Sequence, residues 1–143
     1  MTNNICTSIK QSKALIDLGL DRSTSDMCYE IAVAERNEYW DVPKAHFAYY
    51  EEDELPAWSL QTLINLLPAH IWVDNNGRRE VYNLHIGYKG ATPNVQYVVS
   101  THDTEWYPEG YRPVMYTPDE AKTWIDAVWF AMMWVLQNNY YKK

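Results

Sequence analysis

The stretch Thr117-Pro118-Asp119-Glu120-Ala121-Lys122-Thr123-Trp124-Ile125-Asp126-Ala127-Val128-Trp129-Phe130-Ala131-Met132-Met133-Trp134-Val135-Leu136 decides the fold. Thr117 can cap free backbone N–H groups, Pro118 suits the first helical position, and Glu120 completes a capping box, so a long helix is expected to begin here. Ala121, Trp124, Ile125, Val128, Met132, Val135 and Leu136 recur at three- and four-residue steps and form one face, with Asp119, Lys122, Asp126 and Gln137 mostly off it. Trp129, Phe130 and Met133 widen that stripe. The helix is therefore expected to be covered on two sides, with the rest of the chain packed onto it. A membrane span needs roughly 20 apolar residues; this run is shorter and carries Asp126. Its Met and aromatic content reads as core rather than as a cofactor pocket.

Upstream of the helix the pattern changes from a period near 3.6 to a period of two. His70-Ile71-Trp72-Val73-Asp74 and Glu80 to Tyr88 flank Asn76-Gly77, a strong signal for a tight hairpin turn. Tyr82, Leu84, Ile86 and Tyr88 alternate with Asn83, His85 and Gly87, which separates an inner from an outer face. A third strand, Val95 to Thr101, places Val95, Tyr97 and Val99 inside. A turn within Gly90 to Pro93 pairs Ile86 with Tyr97 and Leu84 with Val99, which brings the inner faces together. Pro113-Val114-Met115-Tyr116 can add a fourth strand, confined by Pro108, Gly110 and Pro113 to an edge or a loop.

The N-terminal half is less regular. Ser8 to Leu18 reads as a short amphipathic helix stopped by Gly19, and Leu20 to Asp26 as a loop. Met27 to Val33 fits strand or helix equally well. Glu35 to Pro56 is polar, aromatic and without a clear element, and long irregular inserts are where binding surfaces concentrate. Ser59 caps a second short helix, Leu60 to Leu67, closed by Pro68, with Leu60, Leu63, Ile64 and Leu67 on its buried face. The expected fold class is α+β. A three- to four-stranded antiparallel β-meander packs against a long C-terminal helix, with two shorter helices before the sheet, in one domain spanning residues 1–143.

With 143 residues, 47% of them hydrophobic, the chain can build a core without disulfides or metals. Cys6 and Cys28 fit no ligand or redox spacing, and the polar start Met1-Thr2-Asn3-Asn4 carries no signal segment. A cytoplasmic setting with free thiols is expected in preference to the alternative, a Cys6–Cys28 bridge. The formal charge of −7 argues against direct binding of nucleic-acid phosphates. It leaves open contact with a basic protein surface, for which Glu51-Glu52-Asp53-Glu54 is the densest acidic run.

No catalytic residues are assigned. The inferred register makes no two of His70, His85 and His102 direct cross-strand neighbours. Metal-ligand distances of about 2.0 to 2.2 Å therefore disfavour a metal site, and no cofactor is expected. There is no Gly-x-Ser-x-Gly elbow and no Gly-rich loop feeding a helix. What stands out is the aromatic content, seven Trp and twelve Tyr. The core readily absorbs Trp124, Trp129, Trp134, Tyr82 and Tyr97. Trp40, Tyr49, Tyr50, Trp106, Tyr107 and Tyr111 sit in loops beside prolines and acids, where surplus Tyr and Trp mark interaction surfaces.

Three segments carry a resemblance: Ser12-Lys13-Ala14-Leu15-Ile16-Asp17-Leu18-Gly19-Leu20-Asp21 with Thr24 to Met27, Trp58-Ser59-Leu60-Gln61-Thr62-Leu63-Ile64-Asn65-Leu66-Leu67-Pro68, and the helix from Pro118-Asp119-Glu120-Ala121 to Trp134-Val135-Leu136-Gln137-Asn138. Together they resemble a family of small proteins encoded by prophages and other mobile elements of gut anaerobes. The resemblance implies an α+β domain and a mobile-element setting and brings no catalytic residues with it. The expected function is a non-catalytic interaction module that binds a protein partner through Trp40, Tyr49, Tyr50, Glu51, Glu52 and Asp53, together with Trp106, Tyr107 and Tyr111. The alternatives are a small hydrolase or carbohydrate-binding protein using His102, Asp103 and Glu105, and a self-associating structural protein.

Overall fold

The computed structural model describes residues 5–30, 43–45 and 54–141 and is α+β, with three α-helices and two antiparallel sheets among the described residues. The chain divides into two compact units, Met1–Leu66 and Leu67–Lys143.

In the first unit, helix α1 (Ile9–Asp17) starts at a full capping box. The Gln11 N–H donates to Ser8 Oγ at 3.1 Å, and the Ser8 N–H donates to Gln11 Oε1 at 3.0 Å. Gly19, at φ +95°, ends it, with the Leu20 N–H returning to the Leu15 carbonyl at 3.0 Å. Arg22–Thr24 form one 3-10 turn capped by Asp21. Strand β1 (Met27–Glu30) then lies between β2 (Pro43–Ala45) and β3 (Glu54–Ala57), antiparallel to both.

Met27 to Val33, ambiguous by period, is therefore strand as far as Glu30; residues 31–33 lie outside the described set. The supposedly element-free insert Glu35 to Pro56 supplies β2 and most of β3. Strands of three or four residues are too short to display a period, and pairing with β1 is what defines them. Helix α2 (Leu60–Leu66) follows, one residue shorter than expected. Ser59 Oγ accepts from the Thr62 N–H at 3.3 Å and is itself anchored on the Asp26 carboxylate. Leu63 is fully buried, whereas Leu60 and Ile64 are half-buried.

Cys6, Tyr29, Leu55 and Ala57 form this unit's core, backed by Ile9, Ile16 and Met27. Its buried polar atoms are matched. The Tyr29 hydroxyl donates to the Thr7 carbonyl at 2.8 Å, the Trp58 N–H to Thr7 Oγ1 at 3.1 Å, and the Trp58 indole to Thr24 Oγ1 at 2.9 Å. Both cysteines are buried free thiols, and Cys28 Sγ donates to Glu54 Oε2 at 3.0 Å.

The second unit is a meander, β4 (His70–Asn75), β5 (Arg78–Lys89), β6 (Thr92–Ser100) and β7 (Tyr111–Tyr116), in that spatial order, followed by helix α3 (Trp124–Gln137). Asn76 and Gly77, at φ 55° and 80°, make the two-residue turn of the first hairpin and set His70 opposite Asn83, as the sequence dictates. The second hairpin turns on Gly90-Ala91. Leu84 therefore faces Tyr97 and Ile86 faces Val95, two positions from the expected register. A shift of two preserves the faces, so the inner-outer division survives.

β7 is an edge strand, as Pro113 within it requires, and β4 is the other edge. Val98 pairs with Pro113 and Tyr97 with Met115, leaving Val114 as a bulge beside a residue that has no N–H to offer. On the inner face, α3 lies against the sheet through Tyr97 stacked on Trp134 at 6.0 Å and Tyr88 edge-on to Trp124 at 5.2 Å.

α3 does not begin at Thr117. Its N-cap is Thr123, whose Oγ1 accepts from the Asp126 N–H at 3.2 Å. Thr117 is committed elsewhere: its hydroxyl accepts from the Val95 N–H at 2.7 Å and donates to the Val95 carbonyl at 3.0 Å. Ile125, Ala127, Val128, Ala131, Met132 and Val135 are buried, while Trp129, Phe130 and Met133 are half-buried. No helix among the described residues is long and apolar enough to cross a membrane.

Candidate functional site

The outer face of the four-stranded sheet carries two adjoining recesses. One, of about 380 Å³, is lined by His85, Gln96 and Val98 of β5 and β6, by Tyr111 and Pro113 of β7, and by Trp106 to Glu109 of the connecting loop. The other, of about 560 Å³, runs toward the Gly90 turn and adds Lys89, Asn94 and Tyr116, reaching the end of the sheet at Tyr88, whose ring packs on the inner face. Gln96, Trp106, Tyr107, Glu109 and Pro113 belong to both, so the two form one groove.

The alternation of β6 creates its floor. Val95 and Tyr97 point inward, which leaves Asn94, Gln96 and Val98 outward. Gln96 sits between His85 on one neighbouring strand and Tyr116 on the other. The bulge at Val114 keeps both Pro113 and Tyr116 on this face; a regular strand would put residues three apart on opposite sides.

The wall is loop 101–110, held by its own hydrogen bonds. The Thr101 N–H donates to the Gly110 carbonyl at 2.9 Å and closes the base. Asp103 organises the tip: its Oδ1 accepts from the Trp106 N–H at 3.3 Å and its carbonyl from the Tyr107 N–H at 3.0 Å. Gly110, at φ +83°, turns the chain into β7. Trp106 is thereby displayed 78% exposed and Tyr111 45% exposed, the latter edge-on to His85 at 5.1 Å. Tyr116 is 56% exposed beneath the Lys89 ammonium, 5.6 Å from its ring centre.

One atom of the floor is unmatched. Asn94 Oδ1 is buried and has no hydrogen-bond partner among the described residues. Leaving such an acceptor unpaired costs about 1–3 kcal/mol.

Of the residues expected to bind a partner, Trp106, Tyr107 and Tyr111 meet at this groove, whereas Trp40, Tyr49, Tyr50, Glu51, Glu52 and Asp53 lie outside the described residues. His102, Asp103 and Glu105 are exposed and line neither recess; Asp103 has the structural task just described. Among the described residues no three His, Cys, Asp or Glu side chains gather as a metal site would require. Asn94, Gln96, Lys89 and Tyr116 are additions to the expected set. The outward positions of β6 were legible from alternation, but the approach of loop 101–110 to them was not.

No protein-family model, curated protein or solved structure matches this chain.

Proposed function

We propose that this chain is a non-catalytic binding protein that captures a segment of a partner protein in the aromatic groove. One observation carries the reading: exposed Trp106, Tyr111 and Tyr116 surround two continuous recesses floored by Gln96 and Asn94. Rigid aromatics offer large contact area for little lost rotamer freedom, and a concave floor lets water be expelled around them. The aromatic and acidic residues from Trp40 to Asp53 belong to the same proposal as a second contact region. So do a cytoplasmic location, in keeping with two free thiols, and a prophage or mobile-element setting.

The test is affinity capture from source-cell extract with the wild type and a Trp106→Ala/Tyr111→Ala double variant. Proteins retained by the wild type and lost from the variant support the reading; identical retention by both overturns it.

A carbohydrate-binding reading has its own support, because tyrosine and tryptophan faces beside Gln96 and Glu109 also suit a sugar ring and its hydroxyls. Soluble oligosaccharides that shift the Trp106 fluorescence, where peptides do not, would favour it.

A further inference from the structure

The groove's chemistry selects among the forms a bound protein segment can take. It lies on the face of the sheet, where β5 and β6 are already paired on both sides, and β7, the one strand of the groove with an open edge, is interrupted by Pro113 and the bulge at Val114, so an added β-strand finds no regular open ladder there. The Trp106 indole N–H and the hydroxyls of Tyr107, Tyr111 and Tyr116 make no hydrogen bond among the described residues, so four donors stand around the groove unused. A polyproline II segment is their complement. It has no internal hydrogen bonds, so its carbonyls project as acceptors, and each proline removes an N–H that would need a partner.

Its three-residue turn also presents ridges that fit successive depressions between aromatic side chains. Here the two recesses meet at the shared Trp106, Tyr107 and Pro113. Charge narrows the choice further. Glu109 lines both recesses and forms no ion pair among the described residues, whereas Lys89 lines only the second, so the first recess carries one carboxylate and no lysine or arginine, in a chain of formal charge −7.

We infer that the groove binds a proline-rich segment of a partner protein in the polyproline II conformation, with a lysine or arginine of that segment at Glu109. This rests on the protein-binding reading above and specifies its ligand. The prolines lie against Trp106, Tyr107, Tyr111 and Tyr116, and the carbonyls between them accept from the unused donors.

The experiment is an NMR titration of the full chain, following the Trp106 indole N–H. The probes are a short proline-rich peptide with one terminal arginine, the same peptide with alanine for every proline, an arginine-free version, and a soluble oligosaccharide. The proline-rich peptide is expected to shift the Trp106 signal and to bind at least about tenfold more tightly than its alanine counterpart, because the bound conformation is already populated. In Tyr111→Ala, observed at Trp106, the loss of that aromatic anchor should weaken binding of the proline-rich peptide by about tenfold or more relative to wild type. Glu109→Gln should cost about two- to fivefold for the arginine peptide and nothing for the arginine-free one.

Equal affinity for the proline and alanine peptides at this groove overturns the polyproline inference and leaves the protein-binding reading standing. Binding of the oligosaccharide with no peptide bound overturns both. Absence of any shift with every probe overturns the inference, and the Trp106→Ala/Tyr111→Ala capture result then decides the broader reading.

Discussion

Thr117 and Asn94 show how one residue's hydrogen bonds decide local structure. Thr117 has the sequence context of a helix cap, yet it sits one position beyond the last pair of β6 and β7, opposite Val95. Its hydroxyl makes the two bonds that a further backbone pair would have made. Thr117→Val keeps the shape and strands both Val95 groups. Chemical denaturation should then show a loss of about 2 kcal/mol or more, since each unmatched buried group costs about 1–3 kcal/mol. Asn94 is the opposite case, a buried acceptor with no partner among the described residues. Asn94→Val removes that acceptor and places a better strand former in β6, so the melting temperature should rise, by the equivalent of about 1 kcal/mol. A fall would mean that the amide is doing structural work.

At the scale of elements, the bulged edge strand and the loop before it build the groove. Pro113 cannot donate to the ladder, the strand bulges at Val114, and Tyr116 stays on the face that Tyr111 and Trp106 occupy. At the other end of β7, Arg112 reaches across to Glu80, with an N–O distance of 3.3 Å. A hydrogen bond from Asn75 holds the Glu80 carboxyl below its ordinary range; burial works against this, and the charges of Arg112 and Arg78 reinforce it. A carboxyl with a depressed pKa stabilises the fold above the ordinary glutamate value of about 4.3, and that stability is lost as pH falls through the lower folded value. Acid unfolding followed by tryptophan fluorescence should therefore be less steep below about pH 4.3 in Glu80→Gln than in wild type. Identical acid profiles would show that solvent screens this half-buried pair completely.

At the scale of the whole molecule, the formal charge of −7 reaches beyond individual contacts. Added salt should slow association of an arginine-bearing proline-rich peptide, measured by stopped flow, while leaving dissociation nearly unchanged; the arginine-free peptide should show little salt dependence. The α+β class, the helix α1, the Asn76-Gly77 hairpin, the edge position of the fourth strand and the apolar C-terminal helix were all legible in the sequence. Each rests on neighbours in the chain: a cap, a turn dipeptide, a proline, a period. The sequence also marked Trp106, Tyr107 and Tyr111 as aromatics without an evident place in the core. Only the tertiary structure decided that β2 and β3 are strands, that the second hairpin turns at Gly90-Ala91, and that α3 starts at Trp124 behind a Thr123 cap. It alone brought loop 101–110 over Asn94 and Gln96 to make a groove. The physical reason is common to all of these: a short strand, a register or a cap is chosen by partners distant in sequence, and a local pattern does not contain the hydrogen bonds that those partners will supply.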